Sequence, residues 1–157
     1  MKKSLASIIK EAAEQKTIIG KINVLRINKS PQLVDIFNYM FDPRCEFLLP
    51  RGEAPYKKIL GLLDQEGRLY IETKKLPKFC AFNGVPFQPL QGKTKKQADA
   101  MRESWFLQLL ESIDPEDAVL MVAVKDKKMP FKGLTKKIVH EAFPEVFVGE
   151  QENESEI

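Results

Sequence analysis

The residues best placed to do chemistry lie in one segment, Lys125-Asp-Lys-Lys-Met-Pro-Phe-Lys-Gly-Leu-Thr-Lys-Lys137, with six lysines in thirteen residues. The spacing spreads them over the end of one helix, a Pro/Gly turn and the start of the next. Thr135 stands near the N-cap of that last helix. The free N–H groups of its first turn, together with Lys136 and Lys137, suit a phosphate oxygen. Lysines at a helix start oppose the macrodipole and cost a little stability, which itself suggests an anionic partner. The plainer alternative is a solvated turn whose lysines merely flank a buried helix, and spacing does not decide between the two. The layout is similar to a helix-turn-helix, but the last helix is short and offers few side chains to base edges. Phosphate contact without sequence reading fits better.

Other candidate chemistry is weaker. Gly92-Lys93-Thr94 ends like a phosphate-binding loop, yet the motif's first glycine would fall on Phe87, so the triplet reads as a turn plus N-cap. His140 is the only histidine, which excludes mechanisms that need two, and no serine or cysteine stands in a recognisable nucleophile elbow. It reads as a packed or surface residue rather than a base. No HExxH, EF-hand loop or Cys/His cluster is present. Glu116 with Asp117, and Glu111 with Asp114, are explained by the capping of helix N-termini. Cys45 and Cys80 lack a CxxC partner and read as free thiols of a cytosolic chain. These residues predict a protein that is not an enzyme and uses no metal, cofactor or small-molecule substrate.

The elements that must carry the lysines are mostly helical. Leu5, Ile8, Ile9, Ala12 and Ala13 recur at helical spacing behind Ser4, and Ile18, Ile22 and Leu25 follow. Ser30-Pro31 starts a third helix that Asp42-Pro43 ends. Thr94-Lys-Lys-Gln97 is a capping box, and Asp114-Pro115 opens a helix apolar nearly all round, expected to be the central one. A last short helix runs from about Thr135 to Ala142. Residues 43–93 are Pro/Gly-rich; within them Arg68–Glu72 reads as a strand or a helical turn, and Phe79–Phe87 as a packed loop or a hairpin.

With 157 residues, 43% hydrophobic and 30% charged, the chain has the composition of one folded domain. Its formal net charge of +3 conceals an asymmetry. Glu145, Glu150, Glu152, Glu154 and Glu156 follow Pro144 with no lysine or arginine among them, so residues 1–144 hold 25 basic against 17 acidic groups, a net of +8. A basic body with an acidic tail suggests a polyanionic partner, although surplus lysine also serves solubility. No apolar run is long enough to span a bilayer, and Lys10 and Glu11 interrupt the N-terminal apolar stretch, so no secretion signal is expected.

Gly133-Leu-Thr-Lys-Lys-Ile-Val-His-Glu-Ala-Phe-Pro144, preceded by Asp126 at the end of an apolar helix, resembles the end of the N-terminal DNA-binding domain of ATP-dependent DNA ligases of T-even-type phages. The helices of Leu5–Tyr39, with Asn28-Lys29 before the third, are also similar, so the resemblance covers residues 1–45 and 100–146. Closer still is the likeness to uncharacterised small proteins of T-even-like phages and cyanophages, which carry the words Leu-Leu-Glu-Ser (109–112), Val-Lys-Asp-Lys-Lys (124–128) and Phe-Lys-Gly (131–133). The resemblance implies a helical domain that grips duplex DNA by its sugar-phosphate backbone. It does not imply ligation: the family's adenylated Lys-x-Asp-Gly motif has no counterpart, since no Asp-Gly pair occurs in the chain. The turn Lys127–Lys132 is also longer than the ligase turn. The residues that inherit the DNA-facing role under the resemblance are Lys128, Lys132, Gly133, Thr135, Lys136 and Lys137.

The expectation is therefore a mostly all-α bundle of about six helices over 1–148, with an irregular Pro/Gly-rich insertion at 43–93 that has room for a small hairpin, and a disordered acidic tail at 149–157. Its function would be that of a non-catalytic, duplex-DNA-binding accessory protein of a phage, in the cytoplasm of the infected host. The alternative is an adaptor or inhibitor docking on replication, transcription or host-defence machinery, anchored by the aromatic loop Phe79–Phe87 with Phe143 and Phe147.

Overall fold

The computed structural model describes residues 3–57 and 65–149. Among these, seven α-helices dominate: α1 (Leu5–Ala13), α2 (Ile18–Ile27), α3 (Pro31–Phe41), α4 (Gln65–Glu72), α5 (Lys95–Ser112), α6 (Pro115–Lys125) and α7 (Lys136–Ala142). The chain is thus mostly helical, as composition and periodicity suggest. Local sequence starts nearly every helix. Ser4, Thr17, Ser30 and Thr135 each accept a backbone N–H three residues on with the side-chain oxygen, at 3.2, 2.9, 3.1 and 3.3 Å. Thr94 and Gln97 close both bonds of a capping box at 3.1 and 3.0 Å. Each such cap contributes about 1 kcal/mol.

The stretch 43–93, expected to be irregular, is largely structured where it is described. Arg68–Glu72 lies in helix α4, followed by a 3-10 helix at Thr73–Phe79. Strands β1 (Cys45–Phe47), β2 (Cys80–Phe82) and β3 (Val85–Pro86) form an antiparallel sheet in sequence order. Phe82 pairs with Cys45 on one side and Val85 on the other. The hairpin between β2 and β3 turns at Asn83-Gly84, both at positive φ (52° and 83°), which only such small turn residues adopt readily. The expected acidic tail lies outside the described residues from position 150 onward.

Helix α6 is central: Ala118, Leu120, Met121 and Val124 are fully buried, and α1, α3 and α5 all pack on it. It is not buried all round, because Val119 is 49% exposed. Asp117, expected to serve the N-terminus of its own helix, is instead fully buried and accepts the Ala6 N–H of α1 at 2.7 Å. It therefore ties the start of α1 to the start of α6. Phe37, Phe79 and Phe143 are also fully buried, with Phe37 and Phe143 ring centroids 6.1 Å apart. Helix α7 lies against α2 and closes the far side of the core with Val139, Ala142 and Val146.

Candidate nucleic-acid interface

The six lysines of the 125–137 segment divide into two kinds. Lys125 is buried, and its Nζ donates to the carbonyls of Pro50 (2.6 Å) and Gly52 (2.9 Å) and to Asp126 Oδ1 (2.8 Å). Asp126 in turn accepts the Gly52 N–H at 3.0 Å on Oδ2. The Lys-Asp pair at the end of α6 thus grips the loop after β1. Asp126, one of the residues carrying the ligase resemblance, is engaged within the fold.

Lys127 is half-buried, and its Nζ donates to three carbonyls, Tyr39 (2.6 Å), Asp42 (2.8 Å) and Cys45 (2.8 Å). Burial lowers its pKa, and the carboxylates of Asp42 and Glu46 oppose the shift. Its backbone is left-handed (φ 61°), the position after a helix C-cap that glycine normally fills. The N–H of Lys127 bonds Val124 and that of Lys128 bonds Ala123, both at 2.9 Å, which completes a Schellman turn. A lysine bears the roughly 1–2 kcal/mol cost of this conformation because no glycine could supply an ammonium to the three carbonyls.

Lys128, Lys132, Lys136 and Lys137 are exposed. The connector that presents them is fixed between them. Leu134 is 3% exposed. Gly133 sits at φ 105°, where a Cβ would fall 2.7 Å from the Ala13 carbonyl oxygen, and Lys21 Nζ donates to the Gly133 carbonyl. Gly133 is thus explained by close packing on the α1–α2 corner, whatever the connector binds. Thr135, placed by sequence near an N-cap, is the N-cap of α7, its Oγ1 accepting the Ile138 N–H. The other end of α7 is held by Arg26 Nη2, which donates to the Glu141 carbonyl at 3.0 Å, so α2 and α7 run side by side in the same direction. Sequence reasoning missed Lys21 and Arg26 in this role. They lie more than a hundred residues from their partners and carry no local signal.

The remaining chemistry-bearing residues are engaged elsewhere. His140 Nδ1–H donates to the Val146 carbonyl at 2.8 Å, as a packed histidine does. Thr94 is the α5 cap. Among the described residues, no group of three or more His, Cys, Asp or Glu is placed to hold a metal ion, and no helix is long and apolar enough to cross a membrane. The aromatic anchor expected from Phe79–Phe87 with Phe143 and Phe147 does not form as such. Phe79 and Phe143 belong to the core, and Phe147 lies under the Arg44 guanidinium at 3.9 Å. Only Val85 and Phe87, 66% and 47% exposed, project from the hairpin. Arg44 also chelates Asp42 through Nε and Nη2 at 3.0 and 2.9 Å. Burial alone would raise the Asp42 pKa, but the bonds and charge of Arg44, with Lys127, outweigh it and hold the carboxyl low.

A model described as a family of unknown function (DUF6433) matches residues 8–130, from α1 to the middle of the lysine connector. Lys128 falls inside the match; Lys132, Gly133, Thr135, Lys136 and Lys137 follow it. No curated protein matches the chain, and no solved structure does.

Proposed function

The chain belongs to a family of unknown function, DUF6433, and from that premise we propose that it is a non-catalytic accessory protein that holds duplex DNA by its sugar-phosphate backbone with little sequence preference. In keeping with the phage-ligase resemblance, it would act in the cytoplasm of a phage-infected cell. The observation that carries the reading is the division of the lysine segment. Lys125 and Lys127 fasten the connector to the body, and Lys128, Lys132, Lys136 and Lys137 stand exposed on the part so fastened. Because the connector backbone is already ordered, binding pays only for the lysine side chains, and each phosphate contact releases counterions. Gly133 and Thr135, also placed at the DNA by the resemblance, shape this support.

The test is anisotropy of a short labelled duplex across a salt series. If all four lysines meet phosphates, log K should fall with log[salt] at a slope of roughly −3 to −4. Lys132→Glu/Lys136→Glu should abolish binding at moderate salt while leaving the melting temperature near wild type. Removing residues 150–157 should tighten binding, because that segment carries Glu150, Glu152, Glu154 and Glu156. The cut belongs after Gly149, since Val146 and Val148 are buried. Absence of binding even at low salt would overturn the proposal.

A second reading rests on a separate observation: α2 leaves Ile18, Ile19 and Ile27 exposed at 58%, 72% and 82%. Ile18 and Ile19, adjacent at the start of α2, are the candidate contact for a protein of the replication, transcription or host-defence machinery. In that case Ile19→Lys would weaken the complex and Lys132→Glu would not.

A further inference from the structure

Away from the lysine connector, helix α4, the 3-10 helix after it and the C-terminal half of α5 enclose a cleft of about 220 Å³. Its floor is Phe79 and Leu109, and its walls carry Arg68, Glu72, Lys75, Lys78 and Trp105. It lies beside the ends of α4 and α5, near the start of α6, whereas the connector leaves α6 at its other end. Gln65, which opens α4, donates to the carbonyl of Ile113 just beyond α5.

The charges of this cleft are unbalanced. Glu72 is 3% exposed in its side chain and accepts from Arg68 Nε and Lys75 Nζ, each at 2.9 Å. One carboxylate therefore serves two cations, and both keep about half of their side chains open to solvent (48% and 53%). Lys78 adds a third positive charge with no carboxylate within ion-pair distance among the described residues. Its Nζ lies 4.7 Å from the Trp105 ring centroid and 5.9 Å from that of Phe79. An ammonium over an indole face is held by the ring quadrupole, a weaker hold than a phosphate oxygen provides. A bound anion would draw Lys78 away and bare one face of a half-buried tryptophan.

Cations around an aromatic face select a ligand that has both a negative group and a flat ring. We propose that this cleft binds a single nucleotide, with its base on Trp105 and its phosphate among Lys78, Lys75 and Arg68. At about 220 Å³ the cleft is below the ~300 Å³ at the lower end of common ligand pockets, so a bound nucleotide lies partly in solvent and a longer stretch of stacked bases does not fit. Glu72 fixes the direction of Arg68 and Lys75, and its one negative charge on the wall leaves the three cations in excess. The nucleotide is either free or the 5′-phosphorylated end of a strand, since the two share this chemistry. The cleft stands apart from the connector, so the proposal does not rest on duplex binding there.

Trp105 is the only tryptophan, so its fluorescence reports on this cleft alone. The full chain is titrated with a nucleoside 5′-monophosphate, the unphosphorylated nucleoside, inorganic phosphate, a 5′-phosphorylated single strand and the same strand without its phosphate. The expected result is a saturable change with the monophosphate, the phosphorylated strand or both. Affinity for the nucleoside and for phosphate should be lower by about fivefold or more, because each lacks half of the recognised chemistry. A response to the free monophosphate identifies a soluble ligand, and a response confined to the phosphorylated strand identifies a strand end. Lys78→Gln should weaken binding by a similar factor with an unchanged melting temperature, and Lys132→Glu/Lys136→Glu should leave the response intact. The proposal is overturned if no saturable change appears up to about 10 mM. It is equally overturned if phosphate alone matches the nucleotide, if both strands respond alike, or if folded Lys78→Gln binds as wild type does.

Discussion

Lys127 and Lys128 are neighbours in the chain, yet they belong to different parts of the molecule's chemistry. Lys127 turns inward, adopts a left-handed backbone and donates to the carbonyls of Tyr39, Asp42 and Cys45, the second of which also accepts the Cys45 N–H. Lys128 turns outward into solvent. The same contrast separates Lys125, with 2% of its side chain exposed, from Lys132, Lys136 and Lys137. A run of like charge is thus not one feature. Its inner members are hydrogen-bond donors to the fold, and only its outer members are available to a partner. Counting lysines overstates the interface, and burial corrects the count.

Substitutions can break this contrast, the largest effect coming from the inside. Lys127→Met keeps the aliphatic stem but deprives the Tyr39, Asp42 and Cys45 carbonyls of their shared donor, and should cost about 3 kcal/mol or more by chemical denaturation. A melting temperature within a degree of wild type would show that Lys127 is no different from Lys128. Gly133→Ala should cost about 1–3 kcal/mol, because its φ of 105° and the nearby Ala13 carbonyl both oppose a Cβ. That variant separates the support from the cations, since every lysine survives while the connector shifts. Its DNA affinity should fall even where it remains folded.

Asp117 sharpens the comparison from the opposite end of α6, as a buried group of opposite sign. Burial, chiefly, raises its pKa from 3.8 to about 7; the Ala6 N–H lowers it, and Asp114, Glu116 and Glu66 raise it further. Its Oδ2 has no hydrogen-bond partner among the described residues. Between these values the folded chain holds a proton that the unfolded chain gives up. The group's contribution to stability is therefore fully present below pH 3.8 and is lost as the pH rises through about 7. Asp117→Asn retains the acceptor for Ala6 and cannot ionise. It should stabilise the protein at pH 8 by about 1–2 kcal/mol relative to wild type, with the difference shrinking toward pH 5, as thermal melts across pH would record. The smallest stability effects belong to the outer lysines: Lys128→Ala, Lys132→Ala, Lys136→Ala and Lys137→Ala should each stay within about 0.5 kcal/mol of wild type.

What could be read from the sequence follows the range of the interactions concerned. Ser30-Pro31, Thr94-Lys-Lys-Gln97 and Asp114-Pro115 marked real helix starts because a cap is satisfied within three residues. Residues 43–93 resisted, because strands of two and three residues show no alternation, and β1 finds its partner only across the intervening α4. Asn83-Gly84 was the one local sign of the hairpin. The outer lysines were visible as part of a lysine-rich run and through the ligase resemblance, but nothing local separated them from the inner ones. That Lys127 has to replace a glycine, that Gly133 answers to Ala13, or that Asp117 caps a helix 111 residues away required the packed chain. Lys78 and Trp105 meet in the same way, from separate elements with no shared motif.

The division of the lysines is tested most directly by the salt dependence of duplex binding for single variants that remain folded. Lys132→Ala and Lys136→Ala should each lower the slope of log K against log[salt] by about 1, with melting temperatures at the wild-type value. Slopes unchanged from wild type in both variants, or a wild-type protein that does not bind duplex at low salt, would contradict the assignment of the outer lysines to DNA.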